Sequence, residues 1–289
     1  MALNFLPLTT YERMRRYIPR DADNTLETDP NRKRDLTNWI NVVSQQIAQF
    51  LNRQLLLGSY VEYFDVEYNH ARFACNAVPI TSITSIYEDP SGLFGTSTKA
   101  LITDTEYFIG DDTGHFCLYR ALPYTARHSL QITYVGGLAA SAANTVLAIT
   151  SPSGAFTVGN YVLGATSAAI GILRAYSATS ITVEMLQGIF DSAESLEEHA
   201  QEHCSDTALH TATLASVTTA SLADTYPAIV RAAEIQVRWN WQRKTEFGLT
   251  TSARDGQVVV NSAKREGGHT QLIEEVESML VPYKRYMLA

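Results

Sequence analysis

The chain has 289 residues, 45% of them hydrophobic and 18% charged, with a formal net charge of -8. That length suits one large domain or two smaller ones, and no apolar run approaches the roughly 18 residues of a membrane helix, so a soluble, cytoplasmically folded protein is expected. The acidity weighs against a protein that grips nucleic acid, because phosphate binding rests on clustered Lys and Arg.

The opening segment MALNFLPLTTYERMRRYIPR lacks a basic region, apolar core and small-residue cleavage site in series, so it does not read as a secretory signal. Cys75, Cys117 and Cys204 are odd in number and share no C-x-x-C spacing, which argues against a disulfide framework or a zinc ribbon. Reduced, partly buried thiols are expected. The charge is unevenly placed. Residues 141 to 225 hold one basic side chain, Arg174, against eight acidic ones, leaving seven of the eight net negative charges there. With its Ser, Thr and Ala content, that segment reads as an insertion between Arg- and Tyr-rich flanks.

Thr9 and Glu12 form a candidate capping box for a short helix that Pro19 ends. A long helix is predicted from Asp29 and Pro30 to Leu57. Leu36, Trp39, Ile40, Val43, Ile47, Phe50, Leu51 and Leu55 recur on it at three- and four-residue steps. Its opposite side, with Asn38, Asn41, Ser44, Gln45, Gln49 and Asn52, is uncharged and suits water or a neighbouring subunit equally. The period then changes to two. Strands are predicted at Tyr60–Glu67, Ile80–Tyr87, Glu106–Ile109, His115–Tyr119 and Leu130–Val135, with a turn at Asp89–Gly92 and a hairpin loop at Asp111–Gly114. In the insert, Phe156–Ser167, Ala168–Tyr176 and Ser180–Leu186 suggest three short strands. Ser192–Ala223 reads as helical or irregular. Pro227 opens another helix ending at Gly248, the loop Leu249–Gly268 carries the β-branched run Val258, Val259, Val260, and a last helix runs from Thr270.

The order of these parts resembles the head-to-tail connector, or adaptor, proteins of tailed bacteriophages. The resemblance is carried by the capped N-terminal helix, the long helix, PITSITSI at Pro79–Ile86, EYFIGDDTGHFCL at Glu106–Leu118, ITYVGGL at Ile132–Leu138, the Pro227 helix and LVPYKRY at Leu280–Tyr286. It covers about residues 8 to 138 and 226 to 286. The stretch FTVGNYVLGATSAAIGIL is similar to small β modules in other phage structural proteins. The implied fold is α+β, a helical bundle with a small antiparallel β portion (1–140 and 226–289) and an inserted acidic β-rich module (141–225).

The implied role is a virion protein without enzymatic activity or cofactor. It would be assembled in the host bacterial cytoplasm and located at the head-to-tail interface, where it forms a homo-oligomeric ring, usually of twelve copies. Its partners would be the portal protein and a neck or tail protein, such as a head-closure, terminator or tail-tube component. Genomic DNA would pass through the channel without sequence-specific binding, and no membrane is involved. The resemblance implies portal docking by a C-terminal segment, here Tyr283, Lys284, Arg285, Tyr286, Met287 and Leu288, whose composition suits an interface. In a ring, Asn38, Gln45, Gln49 and Asn52 become candidates for a subunit contact or the channel wall, and Val258–Val260 for a tail-facing or strand-adding loop.

Two other classes stay open. A host-binding or decoration module could be built on the acidic insert. A metal-dependent enzyme could use His199, His203 and Cys204, with Asp206 and His210 nearby, if the two histidines share a helix face four residues apart. The chain has no H-E-x-x-H, G-x-S-x-G, Walker A or Rossmann pattern.

Overall fold

Among the described residues strands outweigh helices, and they form three sheets, one of them a closed six-stranded barrel. The expected helical bundle with a small β portion is therefore overturned. The computed structural model describes residues 6–18, 30–95, 98–110, 114–247 and 272–284. The chain divides into two compact units; one contains Asn52–Ala140, and the other combines Leu6–Leu51 with Ser141–Lys284.

In the first unit, β1 (Gly58–Val66), β7 (Ala126–Gly136), β3 (Ile80–Glu88) and β4 (Ala100–Ile102) make an antiparallel sheet in the order β1-β7-β3-β4. A second sheet has the order β2-β6-β5, from His70–Ala74, His115–Leu122 and Tyr107–Gly110. One core joins the sheets: Ile86, Leu130, Ile132 and Tyr134 from the first and Phe73, Phe116 and Leu122 from the second are buried in a single cluster. Phe73 and Phe116 stack with ring centroids 5.2 Å apart. The Tyr134 hydroxyl, fully enclosed, donates to Glu62 and accepts from the Ala77 amide at 2.9 Å. Burial, and then the Glu62 carboxylate, push its pKa far above the ordinary phenol value.

In the second unit, α1 (Tyr11–Tyr17), α2 (Pro30–Leu51), α3 (Leu222–Thr225), α4 (Pro227–Phe247) and α5 (Glu274–Leu280) form a helical layer, with α4 packed against the other four. The Ser44 hydroxyl, on the side of α2 read as polar, is buried; it accepts from the Leu8 amide at 2.9 Å and donates to the Ile40 carbonyl. The strands β8 (Asn144–Thr150), β9 (Tyr161–Gly164), β10 (Ile170–Tyr176), β11 (Ser180–Gln187), β12 (Ser195–His199) and β13 (Thr211–Thr219) close in the order β10-β11-β8-β13-β12-β9. Closure removes the exposed edges of an open sheet.

Two local misreadings bear on the overturned fold class, and a third shifts only a helix cap. The long helix ends at Leu51, because Asn52 turns left-handed at φ 52 and Gln54 and Leu56 then bridge to Ala77 and Ala139; Asn accepts that conformation more readily than most residues. Ser192–Ala223 contains β12 and β13, which complete the barrel. In β13 only Ala212 and Leu214 point inward, so its Thr- and Ser-rich outer face masked a period of two. At the N-terminus the cap is Thr10, which accepts from the Arg13 amide, while the Thr9 hydroxyl hydrogen-bonds Glu234.

Candidate functional site

The outer face of the first unit's larger sheet is built by strand alternation. Tyr60, Phe64 and Val66 of β1 pack toward the core, so Val61 and Tyr63 point the other way. Register then sets Tyr63 opposite Gln131, Gln131 opposite Tyr87, and Tyr87 opposite Leu101, a row that crosses all four strands. Tyr63 is 44% exposed, Val61 40% and Leu101 56%. The Gln131 amide donates to the Tyr63 hydroxyl at 2.6 Å, Phe94 meets the Tyr63 ring edge-on at 5.3 Å, and the Lys99 ammonium lies 4.2 Å from the Tyr87 ring centroid. These contacts hold the side chains in place while leaving their outer surfaces open.

The loop after β3 extends this face. The Asp89 carboxylate accepts from the Ser91 hydroxyl (2.6 Å) and amide (2.9 Å), the Phe94 amide (2.7 Å) and the Thr98 hydroxyl (2.7 Å). Hydrogen bonds from the Ser91 and Thr98 side chains, more than offsetting burial, hold Asp89 below the usual carboxylate range. The loop so fixed presents Leu93, which is 80% exposed. An antiparallel sheet with one free face normally makes that face polar; a rigid outer face carrying Tyr, Val and Leu side chains has the composition of a protein contact.

Sequence reasoning missed this face. The signal lay in Tyr60–Glu67, where both alternating sets contain large apolar residues: Tyr60, Phe64 and Val66 on one, Val61 and Tyr63 on the other.

On α2, Asn38, Gln45 and Gln49 are exposed and line one narrow stripe together with Val42, 41% exposed. Asn52 is exposed too, but it serves as the left-handed residue after the helix. Tyr283 and Lys284 are half-buried within the second unit: Tyr283 meets Tyr226 edge-on at 6.1 Å, and the Lys284 ammonium lies 4.5 Å from the Phe50 ring centroid. Arg285, Tyr286, Met287, Leu288 and the run Val258, Val259, Val260 lie outside the described residues.

The histidine cluster does not assemble. His199 ends strand β12 and is buried, His203 is exposed in the following turn, and no helix aligns them. Among the described residues no group of three His, Cys, Asp or Glu side chains is placed to hold a metal ion. Burial and the neighbouring Asp206 push the Cys204 thiol up. His199 instead serves the loop, with Nδ1 3.0 Å from the Asp206 carbonyl.

The acidic residues of the insert are largely committed in the same way. Glu194, 4% exposed, accepts from the amides of Asp191 (2.7 Å), Ser167 (3.0 Å) and Thr166 (3.1 Å) and from the Ser167 hydroxyl (2.9 Å). Any side chain at Gly164 would collide with that carboxylate, 2.6 Å from its first carbon. Glu198 accepts from the Thr157 amide and Asn160 side chain, Glu184 pairs with Arg174, and Glu202 pairs with Arg15 and Arg16. The insert's negative charge therefore fastens turns and neighbours, and Arg15 and Arg16 of α1 are the partners of Glu202.

Compared with protein-family models and with curated proteins, the chain gives no match.

Proposed function

We propose that this chain is a structural, ring-forming adaptor of a tailed bacteriophage, placed between the portal vertex and the tail. The sequence resemblance over both flanks of the insert motivates the reading. The observation that carries it is the outer face of the β1-β7-β3-β4 sheet, where Tyr63, the half-buried Tyr87 and Leu101 stand in one cross-strand row, Val61 lies two residues along β1 from Tyr63, and Tyr63, Val61 and Leu101 are exposed. Subunits of a ring contact each other through two different patches, so each chain must carry surfaces that stay unfinished until a neighbour arrives. The uncharged stripe Asn38, Val42, Gln45 and Gln49 is a second surface of that kind. A near-neutral to acidic protein also suits a channel wall that DNA must pass without being held.

The test is a pair of substitutions, Tyr63→Asp and Leu101→Asp, in the full chain mixed with purified portal rings. Folding should persist, because both side chains face outward, while co-sedimentation of adaptor rings with portal should be lost. Undiminished ring formation by the double variant would remove this sheet face from the assembly surface.

A further inference from the structure

We infer that copies of this chain stack head to tail through the first unit, the outer face of the β2-β6-β5 sheet of one copy seating on the outer face of the β1-β7-β3-β4 sheet of the next. The inference rests on the ring-adaptor reading and names the contact that builds the ring.

The first unit has two free faces because its two sheets share one core. Phe73, Phe116, Leu118 and Leu122 turn inward to meet Ile86, Leu130 and Ile132, so the residues alternating with them point away from the core, on the side opposite Tyr63 and Leu101. In β6 these are Cys117 and Tyr119, and register sets Cys117 between Arg72 of β2 and Phe108 of β5. Tyr119 is 67% exposed and Phe108 45%, and their ring centroids lie 5.5 Å apart. The second sheet thus carries an aromatic patch of its own.

The edge strands of the two faces carry opposite charge. On β1, beside Tyr63, the Asp65 carboxylate accepts from the His128 amide at 2.7 Å, and its side chain stays 60% exposed. On β2, beside Cys117, stands Arg72, which has no ion-pair partner among the described residues. Tyr63 with Asp65 on one face and Tyr119 with Arg72 on the other are therefore complementary in both apolar surface and charge. Either face laid on a second copy of itself would bring two Asp65 or two Arg72 side chains into one contact. Patches on opposite sides of one body also join copies in series, and the series closes into a ring when the rotation between copies allows it. A single self-pairing patch stops at a two-fold dimer.

The test is oxidative cross-linking of the full chain mixed with purified portal rings, between the native thiol of Cys117 and a second thiol introduced by Thr133→Cys. Thr133 pairs with Val61 and Ser85 in the middle of the first face. Non-reducing gels should show a ladder of dimers, trimers and higher multimers that Cys117→Ser abolishes. Asp65→Lys and Arg72→Glu should each prevent ring formation, and an equimolar mixture of the two should restore it, because each altered face then meets its altered counterpart. The cross-link decides the matter alone where a charge variant does not fold. A ladder that survives Cys117→Ser, a product that stops at the dimer, or a mixture no better than its components overturns the stacking. Rings on the portal without a Cys117-dependent ladder overturn the stacking and leave the adaptor reading standing, whereas a ladder beside bare portals supports the stacking and overturns the adaptor reading.

Discussion

Single carboxylates set the local geometry of this protein more than its net charge suggests. Glu194 ties the Thr166–Ser167 turn to Asp191, and Gly164 is required beside it because a Cβ would occupy the carboxylate's place. Glu194→Ala would strand three backbone amides, and an expected loss of about 2–3 kcal/mol should appear in urea unfolding of the chain. Asp89 does similar work in the loop that carries Leu93. Its folded pKa is depressed, so its contribution to stability is present above the unfolded value of about 3.9 and is lost as pH falls through the lower folded one. Asp89→Asn should therefore flatten the pH dependence of stability below about pH 4 relative to the wild type; equal slopes in acid titrations of the two proteins would contradict the assignment. None of these roles can be read from charge counts, because a carboxylate aimed at backbone amides and one facing water are the same letter in a sequence.

At the scale of elements, legibility followed the strength of the periodic signal. The run Ile80–Tyr87 and the helix from Pro227 are β-branched or apolar enough to announce themselves, and they span Ile80–Glu88 and Pro227–Phe247. The end of α2 was misread because Leu55, Leu56 and Leu57 continue the apolar pattern, and only the left-handed Asn52 breaks it. Strand β12 was hidden for a different reason: Ser195-Leu-Glu-Glu-His199 buries Glu198 and His199 as well as Leu196, so its buried side is not apolar. Leu196→Ala should cost about 2–5 kcal/mol, measured by denaturant unfolding, because that side chain is fully enclosed in the barrel core. Asn52→Ala should cost about 1–2 kcal/mol by the same assay, since alanine gains no local hydrogen bond to offset left-handed backbone.

Across the whole molecule, the exposed apolar sheet face and the uncharged stripe of α2 carry the assembly reading. Gln45→Lys with Gln49→Lys should leave stability within about 0.5 kcal/mol, because both positions are exposed and away from any cap or core contact. The same pair should reduce ring formation on the portal; assembly at wild-type levels would return that face to plain solvated surface. The site was only partly legible in sequence: the stripe could be read from helical spacing, whereas the row Tyr63–Gln131–Tyr87–Leu101 depends on the register of four strands separated in the chain. The most direct measurement is negative-stain microscopy of the full chain mixed with purified portal. Rings of adaptor seated on the portal are the predicted result, and a population of monomers with bare portals would contradict the central claim.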